Sequence, residues 1–222
     1  MFSTFNNQII EEIIVNDIIP LILFKKGYLV IHAGCIAIND VNFAFLGESG
    51  AGKSTIIAEL YRRGNKFISD DIVVISIEDF NIYIGGYLQQ ISLWDKSSKA
   101  ISLKEKYIEN PIKGNKKTYN ILKKICYFNG LTRIQNFFMV NRVNNIEEVE
   151  ITLLQKVDYY IMLIKSVIMG YALNEIEWKK IQFYLKKIVD NTSLHLFTYP
   201  NDLSKFDMVI NRLMSFVGNC LE

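Results

Sequence analysis

Gly47, Gly52, Lys53 and Ser54 stand at the fixed positions of G-x-x-x-x-G-K-[ST], inside the stretch FLGESGAGKSTIIAEL. Glycine reaches positive φ at no steric cost, so such a loop can turn its N–H groups inward around an anion. A lysine at that place reaches the β- and γ-phosphates of a nucleotide, and the serine hydroxyl ligates Mg²⁺. Gly47, Glu48, Ser49, Gly50, Ala51, Gly52, Lys53, Ser54 and Thr55 are therefore expected to form a phosphate cup. Downstream, Asp70 and Asp71 place two carboxylates side by side. Adjacent acids repel unless a cation or a catalytic task compensates. At a strand end, neighbouring side chains point to opposite faces, so the two need not share a role.

The cup needs a strand before it and a helix after it. VNFAFL supplies an apolar strand-like run. STIIAELYRRG supplies a helix with one apolar face, basic residues in its last turn and Gly64 as its stop. The strand has an unusual neighbour: YLVIHAGCIAI precedes it across Asn39-Asp40, a short-hairpin signal. The loop strand is thus the second arm of an antiparallel hairpin, unlike the first strand of a parallel, helix-covered sheet. KFISDDIVVISIE and NIYIGGYLQQISLW continue strand after strand. The pattern predicts an α/β fold with a mixed, largely antiparallel sheet, the phosphate loop following a β-hairpin, and flanking helices.

These residues carry a resemblance. IHAGCIAINDVNFAFLGESGAGKSTIIAELYRRGNKFISDDIVVI resembles the catalytic domain of the HPr serine kinase family, related to the phosphoenolpyruvate-carboxykinase fold. It looks closest to the short kinases that resemble only that domain, among them those that phosphorylate precursor peptides in lasso-peptide clusters. The resemblance implies ATP and Mg²⁺ as cofactors. It also implies Asp70 as the base that accepts the proton of the attacking hydroxyl, Asp71 as a metal ligand with Ser54, and His32 as an active-site group near the γ-phosphate. Phosphoryl transfer asks for in-line positioning, neutralisation by metal and lysine, and one group that orients the nucleophile. The family's Arg-Gly-Leu-Gly signature has no counterpart: YIGGYLQQISLW offers Gly85-Gly86 without the arginine. The resemblance therefore does not extend to phosphorolysis or to HPr as the substrate. The carboxykinase family's metal-binding His and Lys are not recognisable either.

The remaining chain sets the limits. Half of its 222 residues are apolar, as in a folded globular protein, and residues 1–222 are expected to form one domain without an N-terminal regulatory domain. Cys35, Cys126 and Cys220 form no ligand pair and are expected to be reduced thiols. The start lacks a signal-peptide pattern, and the greasiest stretches are interrupted before a bilayer span, so a cytoplasmic protein away from membranes is expected. Between Lys104 and Lys124 lie seven lysines and two acids. The stretch YIENPIKGNKKTYN reads either as a solvated loop or as a basic flap offering Lys113, Lys116 or Lys117 to phosphates or to an acidic peptide. Nucleic acid is not expected, since no recognised motif is present and the remaining chain offsets this positive charge. Further on, NFFMVNRV and LHLFTY read as strands, and LLQKVDYYIMLIKSVIM as a buried helix. Asn174 and Glu177 open the helix EIEWKKIQFYLKKIV, and DLSKFDMVINRLMSFV closes the chain. His195 is expected to be structural, and Tyr87, Trp94, Tyr159 and Tyr160 receive no role.

Three functions fit the sequence: a kinase acting on a serine or threonine hydroxyl of a peptide or small protein, a small-molecule alcohol kinase, and a nucleotide-binding accessory protein. The kinases it resembles often assemble, so a homo-oligomer belongs to the expectation.

Overall fold

Asn39 and Asp40 both take positive φ (49° and 63°), the backbone a two-residue hairpin needs to match strand twist. They join β2 (Gly34–Ile38) to β3 (Val41–Leu46), paired antiparallel from Gly34↔Phe45 to Ile38↔Val41. A computed structural model describes residues 9–10, 13–86, 90–110, 116–121, 131–168 and 173–219.

One run that reads as a single strand is broken, and its break lies beside the strand end expected at Asp70-Asp71. YLVIHAGCIAI divides at Ala33 into β1 (Leu29–His32) and β2. KFISDDIVVISIE divides at Asp70-Asp71 into β4 (Lys66–Ser69) and β5 (Ile72–Glu78). The halves sort consistently: β2 pairs with β4, and β1 pairs with β5, with His32 opposite Ile72. Hydrophobic periodicity does not show the break at Ala33, because buried apolar residues stand on both sides of it.

β6 (Asn81–Gly86) follows β5 antiparallel. The long strand β10 (Thr132–Val143) touches β6 at its start, then runs parallel to β3 and to β12 (Ser193–Pro200). β11 (Glu150–Leu153) covers the far side of β12, taking Leu153, which the sequence had given to the following helix. The sheet is thus mixed and largely antiparallel, with both parallel pairings at β10. Among the described residues no helix is long and apolar enough to cross a membrane.

Alternate side chains of the central strands feed two cores. Phe43 and Phe45 of β3, with Phe138 of β10 and Phe197 of β12, face α2 (Lys53–Arg62) and α6 (Phe206–Asn219). Ala44, Leu46 and Phe137 face α4 (Lys156–Ser166) and α5 (Glu175–Asn191) on the other side. Burial on both faces explains why VNFAFL is apolar nearly throughout. The expected capping box of α5 is formed: the Asn174 side chain accepts from Glu177 N–H, and the Glu177 carboxylate accepts from Asn174 N–H. α2 ends as expected at Gly64 (φ 94°), with Asn65 N–H bonded back to Leu60 O.

The basic stretch, expected as a solvated loop or a basic flap, contains two strands. Tyr107–Asn110 (β8) and Lys116–Asn120 (β9) pair antiparallel, and β9 pairs with β7 (Gln90–Trp94). This three-stranded sheet carries the short helix α3 (Asp95–Ile101) and packs beside α2. Lys113, Gly114, Cys126 and Cys220 lie outside the described residues.

Gly86 ends β6 where two backbones nearly touch; a Cβ there would stand 2.5 Å from Ser69 Cβ and collide with Ile68 O. Gly86→Ala is expected to cost about 1–3 kcal/mol by overpacking, read as a lower midpoint in urea at unchanged m-value.

Candidate active site at the phosphate loop

The loop takes the shape its glycines permit. Gly47, Gly50 and Gly52 have φ of 149°, 83° and 107°, and Gly52 caps the N-terminus of α2. Ser49, Gly50, Gly52, Lys53, Ser54 and Thr55 line a cavity of about 450 Å³. The other three expected residues hold its rim through carbonyls. Lys53 Nζ donates to Gly47 O (2.8 Å) and Glu48 O (3.1 Å), and Ala51 O accepts from the Tyr199 hydroxyl (2.9 Å). Unpaired N–H groups and the dipole at the start of α2 favour an anion at this place. Burial lowers the Lys53 pKa, while Asp71 and Asp70 act against that.

The strand breaks bring the remaining groups to the cup. His32, the last residue of β1, lines the cavity, and so does Asp71. Burial, then Lys53, lowers the His32 pKa, so the imidazole is neutral at pH 7. Asp71 sits at the tip of a three-residue turn: Ile72 N–H donates to Asp70 O (3.0 Å), and Asp71 has φ 71°. A turn of this hand is rare and strained, and strain of this kind collects at functional positions. Ala33 N–H bonds Asp71 O (3.3 Å) and the Ser69 hydroxyl bonds Ile72 O, so both strand breaks brace the turn.

Asp70 is placed otherwise. It is 3 % exposed and does not line the cavity. Its Oδ2 accepts from Ser92 N–H (3.2 Å), and its Oδ1 has no hydrogen-bond partner among the described residues. Burial, then the charge of Asp71, raises its pKa to about 7, while Ser92 N–H and the Ser54 hydroxyl beside it favour the charged form. Asp70, expected to meet the acceptor, is thus walled in behind Ser54, while Asp71, expected to stand with Ser54 at the metal, lines the open cavity as Ser54 does. The cause is the turn, whose positive φ swings the second carboxylate outward.

The pleat of β9 decides among the flap lysines. Lys116 lines the cavity, its Nζ lying 5.1 Å from the centre of the Trp94 ring. Lys117, on the opposite face, is held by Asp95 (3.2 Å) and lies over the Tyr107 ring. Trp94, which had no role, also lines the cavity, as does Arg142 from the end of β10. Arg142 Nη2 donates to Gly50 O (2.9 Å). Burial holds the Tyr199 hydroxyl up at about 12, so it remains a proton donor to the loop. One signal for Arg142 existed: a strand parallel to the loop strand delivers its carboxyl end to the same rim. Nothing local marked Trp94 or Tyr199. His195 packs between Phe138 and Phe216, away from the cavity.

Among the described residues no three His, Cys, Asp or Glu side chains gather as a metal cage. A Mg²⁺ ion fits the residues present nonetheless, because Mg²⁺ is held through one or two protein groups plus substrate phosphates and water. Ser54 offers its hydroxyl to the cavity, and the buried, unpartnered Oδ1 of Asp70 adds acceptor capacity behind it.

No protein-family model matches the chain. Part of it is similar to curated enzymes. Over 58 residues it is 38% identical to HPr kinase/phosphorylase 1 of Oceanobacillus iheyensis. Over 71 residues it is 38% identical to HPr kinase/phosphorylase of Malacoplasma penetrans, and over 55 residues 38% identical to that of Bacillus licheniformis. These segments are 26%, 32% and 25% of this chain but only 19%, 23% and 18% of the relatives, so the similarity spans about a fifth of their length. Among solved structures, the Hpr(Ser) kinase/phosphatase of Coxiella burnetii aligns with a TM-score of 0.43 at 13% identity, over 86% of this chain and 94% of that one.

Proposed function

We propose that the protein is an ATP- and Mg²⁺-dependent kinase that transfers the γ-phosphoryl group to a serine or threonine hydroxyl of a peptide or small protein. The observation that carries this reading is the convergence of Lys53, His32, Asp71 and Lys116 on one cavity at the phosphate loop. A loop that only bound nucleotide would need no strained acid at its mouth. The partial similarity to HPr kinase/phosphorylases supports phosphoryl transfer as the reaction class. The sequence resemblance to short peptide-modifying kinases supports a ribosomally made peptide as acceptor.

The roles follow from position. The amides of Ser49 to Ser54 and the start of α2 hold the phosphates. Lys53 leaves its resting bonds to Gly47 O and Glu48 O and moves to the β- and γ-phosphates. Ser54 would hold the metal, with Asp70 positioning Ser54, and the metal would supply neutralisation of phosphate charge. Asp71 accepts the acceptor's hydroxyl proton as its oxygen attacks the γ-phosphorus, and the bond to the departing ADP oxygen breaks in line. His32, neutral, donates a hydrogen bond at the transferred group. Lys116 closes over that group from the flap.

Incubation with ATP, Mg²⁺ and serine-containing peptides should add the mass of one phosphoryl group, with one ADP formed per event. Phosphorylation of free serine alone would move the acceptor to small alcohols. ATP binding without ADP release in the presence of any hydroxyl acceptor would overturn the kinase reading.

The flap gives an internal control. Lys116→Met is expected to lower kcat/KM by about tenfold or more, because it removes a positive charge aimed at the transferred group. Lys117→Met, which loses only Asp95 and Tyr107, should remain within about twofold. Steady-state kinetics on the two variants separate a working lysine from a merely basic surface.

A further inference from the structure

Two side chains far apart in the chain grip consecutive carbonyls of the phosphate loop. Arg142 Nη2 donates to Gly50 O (2.9 Å), and Tyr199 Oη donates to Ala51 O (2.9 Å). They are also partners in the sheet: β10 and β12 run parallel, and Arg142 stands opposite Tyr199 in their register. The pair therefore forms a single crossbar beneath the loop, fixed by strand pairing.

A peptide unit is planar and trans, so fixing its carbonyl on one side aims its N–H to the other. Holding Ala51 O aims Gly52 N–H, and holding Gly50 O fixes the peptide whose N–H, that of Ala51, closes the loop's own turn on Glu48 O (3.2 Å). Gly50 and Gly52 line the cavity, so the crossbar works on the wall that a phosphate meets. Gly52 belongs to the same device: a Cβ there would collide with the Tyr199 hydroxyl. The loop pattern's second glycine is thus required twice, by φ 107° and by the tyrosine behind it.

We infer that Arg142 and Tyr199 are positioning residues for phosphate binding, presetting the amide directions of the Gly50–Gly52 segment. The inference rests on the phosphate-loop reading above and assigns neither residue to the chemical step. It predicts a loss shared by every ligand that carries a diphosphate, because the loop's amides serve them all.

The test titrates the full chain with Mg·ATP, Mg·ADP and inorganic pyrophosphate by calorimetry. Tyr199→Phe and Arg142→Met are each expected to weaken all three by about five- to tenfold, the loss of one hydrogen bond. The KM for the acceptor peptide at saturating ATP should stay unchanged, and Arg142→Lys should recover part of the affinity. In the Tyr199→Phe background Gly52→Ala should lose less affinity than in wild type, because the collision is relieved and only the φ strain remains. Wild-type affinity in both variants overturns the inference, and so does weakening that only tracks a loss of folded protein in thermal melts. Wild-type protein that binds none of the three ligands would sink the phosphate-loop reading itself, and the crossbar with it. Arg142 is exposed, so its variant keeps the test open should Tyr199→Phe fold poorly.

Discussion

Asp71→Asn is expected to lower kcat by about 10²–10⁴-fold while leaving Mg·ATP affinity within about twofold, the pattern of a lost general base. Asparagine keeps the size and can keep the local bonds of the turn, but it cannot take a proton. Asp71 is the acid of the pair that lines the cavity, on a turn braced by Ala33 N–H and Ser69. Rapid-quench measurement of the first turnover is the decisive readout, since it isolates the chemical step from product release. Should Asp71→Asn turn over like wild type while Asp70→Asn alone is dead in that step, the base is Asp70 after all and the turn has been misread.

Asp70→Asn is expected to act twice, in opposite directions. Turnover should fall at least about tenfold, with a raised Mg²⁺ requirement, because Ser54 loses the carboxylate behind it. The ligand-free protein should instead gain stability at neutral pH. The sign follows from proton linkage. The folded-state pKa is raised to about 7, so the folded protein keeps a proton that the unfolded chain releases near the ordinary carboxylate value of about 3.9. Stability from this group is therefore highest at low pH, falls as pH rises through that window, and stays low above it. Asparagine carries no such penalty and can still accept from Ser92 N–H. Thermal melts should show wild type losing stability between about pH 4 and pH 7, and the variant losing less, with a gain of about 1–3 kcal/mol above that window. A variant less stable than wild type at about pH 8 would contradict the raised pKa. Gain in stability with loss of turnover is the usual trade at a working site.

Much of this arrangement is legible in the amino-acid sequence. Asn39-Asp40 announced the hairpin because only a few residues tolerate positive φ, and Gly47 to Ser54 announced the cup for the same reason. The capping box at Asn174 and Glu177 and the stop at Gly64 were local events with local signals. What escaped was set by partners distant in the chain. The break at Ala33 leaves no mark in hydrophobicity, since apolar residues stand on both sides of it, whereas the strand end at Asp70-Asp71 shows as a polar pair. The strained turn, and with it the difference in exposure between the two acids, follows from how the strand halves pair and not from the order of the letters. Tyr199 reads as one more core aromatic until β12 is laid beside β10. Lys116 could not be told from Lys117 until β9 had a register, and a basic stretch rich in Gly, Pro and Asn gives no strong strand pattern.

The crossbar also bears on how the molecule matures. Gly50 and Arg142 are 92 positions apart, and Ala51 and Tyr199 are 148 apart. During synthesis the loop leaves the ribosome early, yet the residue that aligns its last amides emerges among the final strands. Contacts of such long sequence separation form late, after the loop-closure entropy has been overcome. A nascent chain halted before Ser193 would carry the whole phosphate motif and still grasp nucleotide weakly, so tight binding should switch on only when the C-terminal strand docks.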